Sequence, residues 1–307
     1  MYVVMIDITF LGTVSGIPTK DRNHSAIALE YQSENKDTLL FDCGEGTQKQ
    51  LLIAGISFMD IDTIFITHWH ADHFAGLIPL IQTMNLEKRQ KELKIFGPEA
   101  ERFVADIIDL GYFGLKFPVE AINVPYEGDQ ITKIFETADW EVYSTPTLHT
   151  VPSVAYMFKE KDKYNIEMSK IKKLGLKGGA WLKKLKSEGK AEHDGKTVNL
   201  EDVAKVAPGL SVVYTGDTKP CDNVVNISKG VNLLIHDGTF LEAEESGGKY
   251  HATVADAAEV AKKAKVEQLV LTHLSRRYTD TKELEKEAQK VFKKTKIAHD
   301  FMTVKLK

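Results

Sequence analysis

The chain has 307 residues, of which 43% are apolar, a formal net charge of −4 and two cysteines. That length buries a large core in one big domain or two, and the charge speaks against a general nucleic-acid binder. No apolar run approaches the ~18 residues of a membrane span, no basic-then-apolar leader is visible, and Cys43 and Cys221 read as reduced thiols of a cytoplasmic protein.

The residues Met5 to Leu11 form the first predicted strand, and the loop Pro18 to Asn23 follows it. Ile61 to Ile66, β-branched and aromatic, reads as a buried strand. Directly after it, Thr67-His68-Trp69-His70-Ala71-Asp72-His73 packs three histidines and a carboxylate into six consecutive positions. Side chains two apart on an extended segment point the same way, so His68 and His70 can bite one metal together. Asp72 and His73 come after the chain turns and face elsewhere. One metal would hardly need all four, whereas two adjacent metals would. Imidazole plus carboxylate without sulfur suits zinc, with manganese or iron also compatible. The alternative, a histidine-rich surface loop, fits poorly with a position inside the chain at a strand end.

Helical spacing covers Phe74 to Leu86 and Pro98 to Leu110. His149 follows the edge-like segment Tyr143 to Leu148. Asp217 closes the strand-like run Leu210 to Gly216, and His273 ends the strand Gln268 to Thr272. Each lies just past an apolar strand, where open sheets place functional loops. Alone, each has a bland reading as a histidine satisfied by a carbonyl or an aspartate capping a turn. Thr253 can cap a helix with Val254, Ala257, Ala258 and Ala261 on one face. Asp280 to Lys294 reads as a last amphipathic helix before a strand from Ala298 to Leu306. The alternation says α/β and no more.

The charge is unevenly placed. From Lys159 to Lys196 there are twelve lysines against six acidic residues, a balance of +6, which leaves about −10 for the remainder. The segment reads as two short helices around Gly178-Gly179, with too few apolar residues for a core of its own. It should therefore project as an arm over residues 160–196. A basic arm on an acidic protein is the footprint of phosphate-backbone binding; a merely solvated lysine-rich insertion is the alternative.

The pattern H-x-H-x-D-H, then a lone His, a Gly-Asp-Thr and a late His, resembles the metallo-β-lactamase superfamily. Within it the chain is most similar to the ribonuclease Z family. The narrower likeness rests on Ile8 to Thr13, Pro18-Thr19-Lys20-Asp21-Arg22-Asn23, Leu40-Phe41-Asp42-Cys43-Gly44-Glu45-Gly46-Thr47-Gln48 and Leu271-Thr272-His273-Leu274-Ser275-Arg276-Arg277-Tyr278. It runs through essentially the whole chain. Gly12-Thr13-Val14-Ser15 departs from the family's Gly-Thr-Gly-Ser, and Gly178-Gly179 stands where its arm shows Gly-Pro.

The resemblance implies an αββα sandwich of two mixed sheets between helices over residues 1–307, with the arm inserted. It implies two Zn2+ per subunit, His68, His70 and His149 holding one, Asp72, His73 and His273 the other, with Asp217 bridging. Asp72 would accept the proton of the attacking water, and His251 would serve the departing 3′-oxygen. His236, in His236-Asp237-Gly238-Thr239-Phe240, is expected to hold a ligand in the right tautomer. Precursor tRNA would be the substrate, cut 3′ of the discriminator nucleotide. Lys20, Arg22, Ser275 and Arg277 would contact its phosphates near the cut, and Lys172, Lys173, Lys177, Lys183 and Lys184 its elbow. A homodimer is implied as well. The alternative within the superfamily is a small-molecule phosphodiesterase, thioesterase or lactonase, which needs neither arm nor Pro18–Asn23 loop; a non-catalytic RNA-binding relative would have lost a ligand. His24, His193 and His299 have no partner pattern.

Overall fold

The computed structural model describes residues 4–110, 114–242 and 250–307. The first half of the chain lays down β1 (Met5–Gly12), β2 (Ala26–Gln32), β3 (Lys36–Phe41), β4 (Ile61–Phe65), β5 (Leu93–Gly97) and β6 (Val119–Asn123). Between them lie α1 (Thr47–Ala54), α2 (Ala71–Phe74), α3 (Leu77–Leu86) and α4 (Ala100–Leu110). A second run gives β7 (Thr132–Glu136), β8 (Trp140–Pro146) and β9 (Val154–Glu160). An inserted unit follows: β10 (Lys163–Ile166), α5 (Met168–Lys173), α6 (Trp181–Glu188), β11 (Lys190–His193), β12 (Lys196–Asn199), α7 (Leu200–Val203) and β13 (Ala204–Ala207). The chain then completes β14 (Ser211–Tyr214), α8 (Asp222–Ile227), β15 (Leu233–Asp237), α9 (Val254–Ala264), β16 (Gln268–Thr272), α10 (Lys282–Val291), β17 (Thr295–Ile297) and β18 (Thr303–Leu306).

Two seven-stranded sheets result, ordered β18-β1-β2-β3-β4-β5-β6 and β17-β16-β15-β14-β9-β8-β7. Each is mixed: β1, β2 and β3 run antiparallel before β3 to β6 run parallel, and β7, β8, β9 and β14 run antiparallel before β14 to β17 run parallel. The period-2 alternation of strands sorts their residues to two cores. In β2, Ile27, Leu29 and Tyr31 face the second sheet while Ala26 and Ala28 face the helices. In β15, Leu233 and Ile235 face the first sheet and Leu234 the helices. Strands apolar on both faces belong in a covered sheet, and α1, α3 and α4 cover one side, α8, α9 and α10 the other. The expected αββα sandwich is borne out.

Three expectations need correction. The helix foreseen over Phe74 to Leu86 is broken at Gly76, where a Cβ would lie 2.2 Å from the Gly44 carbonyl oxygen. The chain there presses backbone against backbone, which only glycine permits. The strand foreseen from Ala298 to Leu306 is a crossing between sheets: β17 ends in one, β18 pairs with β1 in the other. Finally, the inserted unit has its own core. Ile171, Leu176, Leu185, Ala191, Val198, Leu200, Val203 and Ala204 are buried together, and Trp181 stacks on His193 with ring centroids 4.7 Å apart. Its stem is the antiparallel pair Lys163–Ile166 with Ala204–Ala207, so the unit spans 163–207. The stem and the β11–β12 hairpin supply the apolar residues that two helices alone lack.

Candidate metal centre

The sandwich brings the ends of four strands to one edge. His68, His70 and His73 follow β4, His149 follows β8, Asp217 follows β14, and His273 follows β16. Gly216 makes the last step to Asp217 possible: its φ is +57°, and a Cβ there would lie 2.6 Å from the Thr67 side chain. His273 itself sits at φ +58° and Asp42 at φ +55°, left-handed conformations uncommon for residues with a Cβ and worth noting at a site.

Two groups form around Asp217. On one side His70 Nδ1 lies 3.1 Å from His68 Nε2 and 3.1 Å from His149 Nε2. On the other, His73 Nε2 lies 3.4 Å from His273 Nε2, and Asp72 Oδ2 is 3.6 Å and 3.4 Å from those nitrogens. Asp217 stands between: Oδ2 faces His68 and His149 at 3.8 and 3.9 Å, and Oδ1 faces His73 and His273 at 3.3 and 3.2 Å. All seven expected ligands therefore meet in one place.

Whether these residues fit metal is answered by their outer nitrogens. His73 Nδ1 donates to Asp42 Oδ2 at 2.7 Å, and His68 Nδ1 to Thr67 Oγ1 at 3.1 Å. His149 Nδ1 donates to the Tyr250 carbonyl at 3.2 Å, His273 Nδ1 to Thr239 Oγ1 at 3.1 Å, and His70 Nε2 meets Thr150 Oγ1 at 3.5 Å. A ring whose outer nitrogen carries the proton presents a lone pair inward. In their neutral form His68, His73, His149 and His273 thus turn lone pairs toward one another, toward His70 Nδ1 and toward a buried Asp217 Oδ1 that has no hydrogen-bond partner among the described residues. Such a set, in its neutral form, has no hydrogens to share and calls for positive charge. The electrostatics show the same demand, which a second proton on His73 also answers. Burial opposes charge on His73, yet Asp217 and Asp42 outweigh it and hold its pKa well above the usual range. Burial likewise opposes ionisation of Asp217, but His273 and His73 keep it well below the carboxylate range. His68, where burial dominates, is pushed down.

His251 lies beside this set. Burial lowers its pKa, but its Nδ1 donates to Asp237 Oδ2 at 2.9 Å, and the net effect lifts it to about 9. A cleft of about 340 Å³ opens over the centre, lined by Ser15, Gly16, Thr150, Tyr250, His251 and the inner ligands. Gly16 N–H donates to Asp72 Oδ2 at 2.9 Å across its floor.

The remaining site expectations fall unevenly. His236 is fully buried, and among the described residues its Nδ1 bonds only the Asp237 carbonyl and its Nε2 has no partner, so it holds none of the ligands. The next residue does that work: Asp237 Oδ1 accepts from Thr239 Oγ1 at 2.5 Å, and Thr239 in turn holds His273. Alternation explains it, since neighbours on β15 face opposite ways. Asp42 was absent from the expected site, although an acid closing the apolar run Leu39–Phe41 was a visible signal. Lys20 is exposed; Arg22 is half-buried, within the electrostatic reach of Asp300 and Asp21. Ser275 is half-buried, and the Arg277 guanidinium lies 5.4 Å from the Phe240 ring centroid; neither lines the cleft. Lys172, Lys173, Lys177, Lys183 and Lys184 are exposed on the inserted unit. His24, His193 and His299 stand outside the centre.

Residues 6–104 match the family described as Anti-Pycsar protein Apyc1, and residues 184–274 the Beta-lactamase superfamily domain. Ribonuclease Z of Thermococcus sibiricus is 43% identical over 98% of this chain and 97% of its own. Ribonuclease Z of Methanothermobacter thermautotrophicus is 40% identical over 99% and 97%. The crystal structure of human tRNase Z, short form, superimposes with a TM-score of 0.70 at 27% identity, covering 97% of this chain and 98% of that one.

Proposed function

The chain belongs to the ribonuclease Z family, and from that premise we propose how its residues divide the work of cutting tRNA precursors. It is a metal-dependent endoribonuclease that processes tRNA 3′ ends. In our reading it holds two zinc ions per subunit, with manganese or iron chemically admissible. His68, His70 and His149 would hold one, Asp72, His73 and His273 the other, and Asp217 would serve both. The observation that carries this is the convergence of five histidine rings, four with their outer nitrogens held by acceptors, on a carboxylate oxygen with no hydrogen-bond partner among the described residues. Cations bound there supply charge to neutralise a phosphodiester and acidity that makes water a nucleophile near neutral pH.

The protein's own groups then act around the scissile phosphate. Asp72, fixed by the Gly16 N–H, orients the attacking water and takes its proton. His251, whose Nδ1 is anchored on Asp237, offers its other nitrogen toward the cleft to protonate the departing 3′-oxygen. Cleavage on the 3′ side of the discriminator nucleotide leaves a tRNA 3′-hydroxyl and a 5′-phosphorylated trailer. Lys20 and Arg22 sit on the neighbouring loop within reach of the acceptor end, with Ser275 and Arg277 next to His273. The exposed lysines of the inserted unit, Lys172, Lys173, Lys177, Lys183 and Lys184, grip the distant elbow through phosphates. Exposed Leu52, Ile53, Leu86 and Leu110 lie on the helices covering the first sheet and suit a homodimer contact. No helix among the described residues is long and apolar enough to cross a membrane, and two free thiols suit the cytoplasm.

The test is a precursor tRNA carrying a 3′ trailer. Trailer release should be abolished by chelator and by Asp217→Ala. Replacing residues 167–203 with a short turn, which the paired Ile166 and Ala204 can close, should cut tRNA turnover far more than hydrolysis of a chromogenic phosphodiester. Equal losses would sink the role given to the inserted unit, and intact precursor beside normal phosphodiester turnover would favour the small-molecule alternative.

A further inference from the structure

Among the described residues, the hydrogen bonds that tie the loop 18–23 to the body gather at one point. Within itself it is closed by Thr19, whose N–H donates to the Arg22 carbonyl at 2.9 Å and whose hydroxyl accepts from Arg22 N at 3.0 Å. Its anchor to the rest of the molecule is Asn23. The Asn23 carbonyl accepts from Thr13 N and Val14 N, its Nδ2 donates to the Glu45 carbonyl at 2.8 Å, and its own N–H donates to Asp300 Oδ2 at 2.7 Å.

Asp300 comes from the far end of the sequence, in the crossing between β17 and β18. That crossing is pinned to β1 by Phe301 N to the Phe10 carbonyl at 2.7 Å and Phe10 N to the Met302 carbonyl at 2.9 Å. Its carboxylate collects two further donors, Thr13 Oγ1 at 2.8 Å and Gln50 Nε2 at 3.0 Å. The Arg22 guanidinium is half-buried within the electrostatic reach of the same carboxylate but forms no ion pair with it, and its Nη1 is buried without a hydrogen-bond partner among the described residues. A single carboxylate so gathers β1, α1 and the loop. The segment it holds at Thr13 runs on to Gly16, whose N–H lies on Asp72 in the metal centre. Asp300 therefore fixes one end of a four-residue segment whose other end touches the site.

We propose that Asp300 is a positioning residue for the RNA: it sets the pose of the 18–23 loop, and of Arg22 in particular, against the metal centre. The inference rests on the reading that this loop contacts the tRNA. Charge and geometry both enter. Three donors, two of them on buried side chains, lose a carboxylate acceptor when Asp300 is removed, and Arg22 loses the backbone anchor held at the neighbouring Asn23 together with a nearby negative charge. A carboxylate accepting several bonds is a stiffer tether than any one of them. Arg22 then samples poses in which it no longer meets a phosphate, so substrate binding suffers and the chemical step does not.

The experiment is a steady-state double-mutant cycle on precursor tRNA with Asp300→Ala, Arg22→Ala and both, with Thr13→Val as a milder probe that removes one donor and conserves shape. Asp300→Ala should raise KM about tenfold with kcat within about threefold, and Arg22→Ala should do the same. The double variant should be no worse than about tenfold, where independent residues would multiply to about a hundredfold. Thr13→Val should raise KM about two- to threefold, which keeps the test decisive if Asp300→Ala folds poorly. A purely structural role for Asp300 would lower kcat through fewer active molecules and leave KM alone. Unchanged KM in Asp300→Ala and Thr13→Val beside a raised KM in Arg22→Ala would overturn the inference and leave the loop reading standing. Multiplying effects would overturn it too. An Arg22→Ala enzyme of unaltered KM would remove the loop reading and the inference with it.

Discussion

Replacing Asp42 with asparagine changes no shape and tests the centre from behind. Asparagine accepts the left-handed φ of +55° that Asp42 adopts, so the backbone has no reason to move. What changes is the count of acceptors. Asp42 Oδ1 takes Thr67 N at 2.8 Å and Oδ2 takes both the Tyr214 hydroxyl and His73 Nδ1 at 2.7 Å, with the Thr67 hydroxyl shared between them. An amide keeps one oxygen. If that oxygen stays on the Thr67 N–H, the amide NH2 meets His73 Nδ1, which then has to be the acceptor. The imidazole proton moves to Nε2, the nitrogen that faces Asp72, Asp217 and His273, and a protonated nitrogen cannot ligate. A hydrogen bond to a charged group contributes about 1.5–3 kcal/mol, or roughly 10- to 150-fold in an equilibrium constant. Loss of an outer partner of a ligand costs about 10–100-fold in metal affinity, so the two estimates agree. Competition against a chelating indicator should show one metal equivalent weakened by that factor and the other, on His68, His70 and His149, little changed. If both equivalents bind within about twofold of the parent, Asp42 does not fix the His73 tautomer and the argument fails.

Stripping metal with chelator should lower the melting temperature by several degrees and re-added Zn2+ should restore it, because a ligand at 100 times its Kd contributes about 2.7 kcal/mol; an unshifted melt would mean that the lone pairs around Asp217 are satisfied some other way. Arg89→Ala should destabilise by about 3–5 kcal/mol in urea titration. Its nearly fully buried guanidinium donates to the Lys91, Met59 and Glu92 carbonyls and to Asp62, and metal affinity should not move. Leu185→Ala removes a fully buried side chain from the inserted unit and should cost about 2–5 kcal/mol locally. Limited proteolysis should then cut within 163–207 while the sandwich survives, and simultaneous loss of both would show that the unit has no core of its own.

The ligand set was legible because metal chemistry demands particular residues at strand ends, and His68 to His73, His149, Asp217 and His273 meet that demand in plain view. Their supports were not. Thr67, Thr239 and Tyr214 are residues that any strand or turn carries, and only the fold decides which hydroxyl faces which ring. His236 shows the cost of choosing by residue type: the histidine looked like the functional member of His236-Asp237, yet strand alternation sends Asp237 to the site. The inserted unit was misread for a different reason. Its helices were visible, but the turn His193-Asp194-Gly195-Lys196 was passed over. Asp194 and Gly195 both take positive φ, 48° and 69°, as a tight hairpin between β11 and β12 requires. That Asp-Gly signal would have extended the unit beyond 196 and supplied Ala191, Val198 and Leu200 to its core.

The same network also explains why the centre sits where the two sheets meet. Asp42 ends a strand of the first sheet, Tyr214 belongs to the second, and the Tyr214 hydroxyl donates to the carboxylate that orients His73. The Tyr156 hydroxyl, again from the second sheet, donates to the Ile66 carbonyl at 2.7 Å, one residue before the metal loop begins. Both rings pack in the shared core against Phe41, and Tyr156 also against Phe65. A shift of one sheet over the other therefore cannot leave the ligands in place, because the rings that fill the core carry the hydroxyls that hold the loop. Tyr214→Phe separates the two roles. It keeps the packing and removes the bond, so metal affinity should fall with little loss of stability. A change in stability alone would mean that the core, and not the hydroxyl, fixes the site.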